Sequence, residues 1–216
     1  MKYKCLVLDH DDTVVESTKT IHYPAFVEIL NILRPKEKIT LEDYFIKNFE
    51  YGFIELCKTF YSFSDEELRF EADYWKNFAK DKIPNVYPGM KELLWEHKKN
   101  GGIICVVSFS FCENIICDYE NNGLPLPDII FGFEEPKERR KPSPYPIEEI
   151  IKKYDLKKED IFVIDDAMHG LEMAKNAGVE YAFAGWAHNI SKINESIEKN
   201  VPLSFKTVDE FKNYIK

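Results

Sequence analysis

Five short apolar runs, separated by amphipathic stretches of helical length, restrict this chain to a small set of folds. The runs are Lys4–Leu8, Ile103–Ser108, Asp128–Phe133, Asp160–Asp165 and Glu180–Gly185. Several show little polar–apolar alternation, the pattern of strands covered on both faces of a parallel sheet. Of the intervening stretches, Met90–Lys99 follows a Pro88-Gly89 turn and stops at Gly101-Gly102, and Tyr145–Tyr154 follows two prolines. A third, Gly170–Ala177, is followed by Gly178, a residue suited to a helix C-cap. Strand and helix in alternation predict a doubly wound α/β architecture around a parallel sheet. Leu203–Phe205 reads as a last short strand, and Thr207 with Glu210 as the capping box of a closing helix.

One interval breaks the alternation. From Glu16 to Pro84 helix signals dominate: Ala25, Phe26, Ile29, Leu30 and Leu33 recur at helical spacing before Arg34-Pro35 ends the segment. Thr40 with Asp43 resembles a capping box, and Ser64 with Glu67 matches one. The expected organisation is a core made of 1–15 and 85–216, with a helical domain inserted at 16–84.

The 216 residues suffice for one domain carrying such an insertion, and 44% hydrophobic residues suffice for its core. The net charge of -9 offers no basic stripe, so no nucleic-acid partner is expected. An anionic substrate has to be held by a few local cations against an unfavourable overall field. No long apolar segment marks a signal peptide or a membrane span. Cys5, Cys57, Cys105, Cys112 and Cys117 form no CxxC pair and no zinc-ligand spacing with histidine, and read as free thiols of a reducing cytosol. The expectation is a cytoplasmic protein, monomeric or weakly dimeric.

Open parallel sheets bind ligands beyond the C-terminal ends of their strands. The first run ends in Asp9-His10-Asp11-Asp12-Thr13, the second in Ser108-Phe109-Ser110 and the fourth in Asp165-Asp166; Arg140-Lys141-Pro142 precedes the helix leading to the fourth. Carboxylates, a hydroxyl and an ammonium therefore converge on one rim. Burying neighbouring carboxylates is costly unless something pairs with them. Asp9 and Asp166 can share a hard divalent cation, and magnesium suits a site with few protein carboxylates and room for water and phosphate. A metal-bound carboxylate beside an ammonium can act as a nucleophile and form an acyl phosphate, with cation and lysine stabilising the phosphoryl oxygens. A second carboxyl two residues along can protonate a leaving alkoxide and then activate water.

These residues resemble the haloacid dehalogenase superfamily of hydrolases, motif by motif and in order. The motifs are DxDxT at Asp9–Thr13 after an apolar strand, Ser108 at the end of VVS, Lys141 in KPSP, and Asp165-Asp166 in VIDDAMHGLEMAKNAGV. The run YPGMKELLWEHKKNGGIICVVS from Tyr87 resembles the helix and strand that lead into the second motif. The resemblance covers Tyr3 to Gly185 and implies a Rossmann-like core with 16–84 as a mobile α-helical cap. It implies that Asp9 is the nucleophile and a magnesium ligand, and that Asp11 is the general acid/base with its backbone carbonyl on the metal. Asp166 would be the main downstream ligand, and Asp165 would ligate directly or through water. Ser108 and Lys141 would contact the phosphoryl group, Lys141 also pairing with Asp9, and Phe109 would add a backbone N–H. Gly52, in Phe49-Glu50-Tyr51-Gly52-Phe53, resembles a cap loop that dips into the active site of relatives, and equally an ordinary turn between helices. His10, between the two aspartates, is expected to point away from the chemistry, His169 to pack or to be solvated, and Thr13 to order the loop. Ala167 stands where relatives often carry a serine.

Dehalogenases of the superfamily lack the second aspartate, and the phosphonatase branch departs at the same position, so Asp11 points to phosphoryl transfer. The expected function is magnesium-dependent hydrolysis of a small phosphorylated metabolite, a phosphate monoester, through an aspartyl phosphate. A sugar phosphomutase would use the same core. A receiver-type phospho-acceptor module shares an acidic pocket, a hydroxyl and a lysine, but its acceptor ends a middle strand and it lacks a large helical insertion. A non-catalytic binding protein would be expected to have lost one of the aspartates. Which alcohol the phosphate esterifies is not legible in the sequence.

Overall fold

The computed structural model describes residues 1–216. In chain order, β1 (Cys5–Leu8) and the short β2 (Val15–Glu16) lead into a helical stretch. That stretch holds α1 (Tyr23–Leu33), α2 (Leu41–Tyr51), α3 (Phe53–Glu55) and α4 (Asp65–Ala79), with π-helical turns at Thr18–His22 and Leu56–Phe60. Then follow β3 (Asn85–Val86), α5 (Met90–Lys99), β4 (Ile103–Val107), α6 (Cys112–Asn122), β5 (Ile129–Phe131) and α7 (Tyr145–Tyr154). The chain closes with β6 (Ile161–Asp165), α8 (Met168–Ala177), β7 (Glu180–Ala184), α9 (Ser191–Asn200), β8 (Ser204–Phe205) and α10 (Val208–Ile215). Two compact units result, Met1–Glu16 with Asn85–Lys216, and Ser17–Pro84.

The first unit is a doubly wound α/β fold. Its six-stranded sheet has the order β5-β4-β1-β6-β7-β8, and every pairing in it is parallel. β1 lies in the middle, with Val7 opposite both Cys105 and Val163. From β1 the later chain builds first toward β5 and then, from β6, toward β8, so the order reverses beside β1. That reversal opens the crevice at the carboxyl ends of β1, β4 and β6. All residues of β1 and nearly all of β4 and β6 are buried, which explains why these runs do not alternate. One face packs Leu6, Leu8, Ile104, Val106, Phe162 and Ile164 with helix residues such as Met90, Leu93, Tyr119 and Phe211. Each such side chain, fully buried, contributes roughly 2 kcal/mol of transfer free energy. Helix α8 ends on Gly178 in the left-handed conformation.

Several details depart from the sequence reading: α6 and α9 lie outside the helices it singles out, and α8 begins at Met168, ahead of Gly170. The run Asp128–Phe133 forms a strand only over Ile129–Phe131. In addition, β2 and β3 pair antiparallel, Val15 with Val86 and Glu16 with Asn85, at the two ends of the helical stretch. A strand of two residues has no period to detect, so this ribbon left no sequence signal.

The second unit, Ser17–Pro84, is helical around its own core of Phe26, Ile29, Leu30, Tyr44, Leu56 and Phe63. Phe26 is central, with its ring 5.3 Å from Tyr44 and 5.6 Å from Tyr61. Thr40 caps α2 by accepting from the Asp43 N–H at 3.0 Å. Ser64 and Glu67 exchange bonds at the start of α4, at 3.2 and 2.8 Å. Such caps contribute about 1 kcal/mol each. No helix of the protein is long and apolar enough to cross a membrane.

Candidate active site

The site is assembled at the carboxyl ends of β1, β4 and β6. Asp9 leaves β1 with its N–H on the Ile164 carbonyl at 3.0 Å, and its side chain is buried. The next residues curl tightly: Val14 and Val15 donate to the His10 carbonyl, and Asp12 donates to Val15. Asp12 sits at φ 58°, a left-handed conformation that aspartate tolerates through its short polar side chain. His10 is buried, with Nε2 and Asp118 Oδ2 of α6 at 2.9 Å and its ring stacked on Tyr119.

At the end of β4, Ser108 is buried and its hydroxyl accepts from the Ser110 N–H at 3.1 Å. The Ser110 hydroxyl donates to Asp11 Oδ2. Phe109 between them is exposed; its ring meets His169 edge-on at 5.6 Å and has Lys141 Nζ 5.2 Å from its centre. Lys141, in the loop before α7, is buried and donates to Asp9 Oδ1 at 2.7 Å and to Asp165 Oδ2 at 2.6 Å. Asp165, 1% exposed, also accepts from the Ala167 N–H at 2.8 Å on its other oxygen. The Thr13 hydroxyl is 3.5 Å from Asp166 Oδ1. Gly52 lies in the helical unit, between α2 and α3.

Electrostatically the cluster is overloaded with negative charge. Asp9, Asp165 and Asp166 offer oxygens within 4.8 Å of one another, and one ammonium stands among them. Desolvation pushes the Asp9 carboxyl up to about 7; Lys141 opposes that shift, while Asp165 and Asp11 add to it. Desolvation, then Asp9, Asp12 and Asp165, hold Asp166 well above the usual carboxylate range. Lys141 loses hydration as well, yet Asp165 and Asp9 keep its affinity for the proton raised. Three clustered oxygen donors with too little positive charge suit a hard divalent cation, which binds carboxylate oxygen and repays their repulsion.

The structure thus brings together Asp9, Lys141, Asp165 and Asp166, with Ser108 on the neighbouring strand end and Asp11 tied to Ser110. Two features escaped sequence reasoning. Lys141 pairs with Asp165 as well as with Asp9, and Ser110 reaches Asp11; both follow from strand register, which the chain does not spell out locally.

Comparison with known proteins identifies relatives of the chain. A pyrophosphatase, PpaX, from Halalkalibacterium halodurans is 29% identical over 108 residues, 50% of this chain and 50% of that protein. A phosphoglycolate phosphatase from Vibrio cholerae is 28% identical over 123 residues, 54% of this chain and 53% of that protein. The chain therefore spans about half the length of the curated relatives it matches. A haloacid dehalogenase-like hydrolase from Bacteroides fragilis shares the fold at a TM-score of 0.80 and 20% identity, over 97% of this chain and 100% of that one. Residues 6–184 match the family described as haloacid dehalogenase-like hydrolase, and the chain belongs to that family.

Proposed function

We propose that this protein is a magnesium-dependent phosphatase that hydrolyses a small organic phosphate monoester through a phosphorylated Asp9. The observation that carries the reading is Lys141 Nζ held between Asp9 Oδ1 and Asp165 Oδ2, with the Asp166 carboxylate beside them. Such an arrangement orients a carboxylate nucleophile with one ammonium, in a cluster whose remaining negative charge a divalent cation would offset. The names of the relatives, a pyrophosphatase and a phosphoglycolate phosphatase, support phosphoryl hydrolysis, and the second of them a monoester substrate.

Magnesium held by Asp9, Asp166, the Asp11 carbonyl and Asp165, directly or through water, would supply charge neutralisation at the phosphoryl oxygens. Asp9 attacks phosphorus as the ester P–O bond breaks, and Asp11 gives its proton to the departing alkoxide. Asp11 then takes a proton from water as its oxygen attacks the phosphoryl group; the P–O bond to Asp9 breaks and inorganic phosphate leaves. Lys141 orients Asp9 and, with Ser108 and the Phe109 N–H, holds the phosphoryl oxygens. The helical unit Ser17–Pro84, which includes Gly52, is the part we assign to substrate selection.

Release of inorganic phosphate from a panel of monoesters and pyrophosphate tests this reading. Turnover is expected only with magnesium and should fall by about 10⁴-fold or more in Asp9→Asn, the scale of losing a covalent nucleophile. Full activity in that variant would reject the covalent route. Interconversion of sugar phosphates without phosphate release would replace the phosphatase by a mutase.

A further inference from the structure

We infer that Ser110 is a positioning residue for the proton-carrying carboxyl of Asp11. This rests on the phosphatase reading above and adds to it a side chain outside the four motif positions. Ser110 follows the end of β4 and is 8% exposed. Its hydroxyl donates to Asp11 Oδ2, across 99 positions of sequence. Its N–H donates to Ser108 Oγ at 3.1 Å, and its carbonyl accepts from the Phe133 N–H at 2.9 Å. All three polar groups of Ser110 are engaged, so its hydroxyl is presented from a braced loop.

The chemistry needs that bracing. Asp11 has to protonate an ester oxygen in one step and deprotonate water in the next, from nearly the same place. A carboxyl on two side-chain torsions has to be held in one orientation to do both, as Lys141 holds Asp9 and Asp165. A donor on Asp11 Oδ2 restrains rotation about those torsions and fixes the plane in which the carboxyl exchanges its proton. When the ester P–O bond breaks, the proton passes from the Asp11 carboxyl to the leaving oxygen. When water attacks phosphorus and the bond to Asp9 breaks, a proton of that water returns to the Asp11 carboxylate. Ser110 keeps its own proton throughout.

Leaving-group dependence separates this role from a merely structural one. p-Nitrophenolate departs without help, whereas an alkoxide needs the proton. With an alkyl phosphate that the wild type hydrolyses, Ser110→Ala is expected to lower kcat about 10- to 100-fold, while kcat on p-nitrophenyl phosphate falls less than about threefold. KM should stay unchanged for both. Ser110→Thr, which keeps the hydroxyl, restores most of the alkyl rate, and Ser110→Cys, a near-isostere with a weak donor, falls between. Equal losses on the two substrates, or no advantage of threonine over alanine, would overturn the role of Ser110. Asp11→Asn distinguishes the two levels: it should show the same signature more strongly. If it does and Ser110→Ala does not, only the positioning role fails; if it does not, the assignment of Asp11 fails and that of Ser110 with it.

Discussion

Gly170 leaves the space that the Asp165 carboxyl fills: a Cβ at this position of α8 would stand 2.3 Å from Asp165 Cγ. No side chain tolerates such an approach, so the helix and the acidic cluster are coupled through one missing methyl group. Gly170→Ala is expected to rotate Asp165 away, loosening Lys141 and through it Asp9. A displacement of about 1 Å at a reacting group costs on the order of 100-fold in rate. Steady-state kinetics on the folded variant, verified by circular dichroism, checks this; an alanine variant with wild-type kcat would show that Asp165 does not govern the placement of Lys141.

Asp166 should trade stability for metal binding. Desolvation together with Asp9, Asp12 and Asp165 disfavours its charged form, so Asp166→Asn is expected to raise the melting temperature of the metal-free protein. A gain of about 1 kcal/mol corresponds to roughly 2–4 °C in a chain of this size. In the wild type, magnesium at about 100 times its Kd should add about 2.7 kcal/mol, and the substitution should remove most of that. Thermal unfolding with and without magnesium decides the matter: an equal magnesium shift in both proteins would place the metal elsewhere.

A second pH-sensitive group lies in the helical unit. Glu71 is 7% exposed, and burial raises its carboxyl from 4.5 to about 7, with His22 opposing the shift. Between those values the folded state binds the proton more tightly than the unfolded chain. The stabilisation is therefore complete below about pH 4.5 and is lost as pH rises through about 7, on the order of 3 kcal/mol in total. Glu71→Gln should flatten this dependence and raise stability at pH 8. Denaturant unfolding at pH 5 and pH 8 measures it, and parallel losses in both proteins would assign the slope to other groups.

The pair formed by buried His10 and half-buried Asp118 should anchor the loop that carries the two proposed catalytic carboxyls. Asp118→Ala strands His10 in the interior, and leaving one buried polar group unsatisfied costs about 1–3 kcal/mol. Asp118→Asn keeps a carbonyl for the ring N–H and is expected to lose less. Leucine at both positions should recover much of the stability, because the penalty comes from the unpaired partner. A double-mutant cycle in denaturant tests this; strict additivity of the two single changes would deny the coupling.

Much of the fold was legible because its signals are local. The runs Ile103–Ser108, Asp160–Asp165 and Glu180–Gly185 contain β4, β6 and β7 nearly to the residue, and Gly178 ends α8 as expected. An apolar run that must be covered on both faces, and a glycine that alone takes a left-handed cap without strain, are written in a few consecutive residues. The two-residue ribbon of β2 and β3 carries too few residues to leave such a mark.

The chemistry divides along the same line. Carboxylates, a serine and a lysine at strand ends are enough to say that charge converges on one rim and that a cation is wanted there. The sequence by itself determined the α/β class, the family resemblance and the residue types available to the site. Only the tertiary structure decided that Lys141 holds Asp165 as well as Asp9, that Ser110 meets Asp11, and that His10 turns to Asp118. Those contacts join residues from 24 to 132 positions apart. They depend on sheet register and on the packing of α6 and α8 against the sheet, which no local pattern encodes.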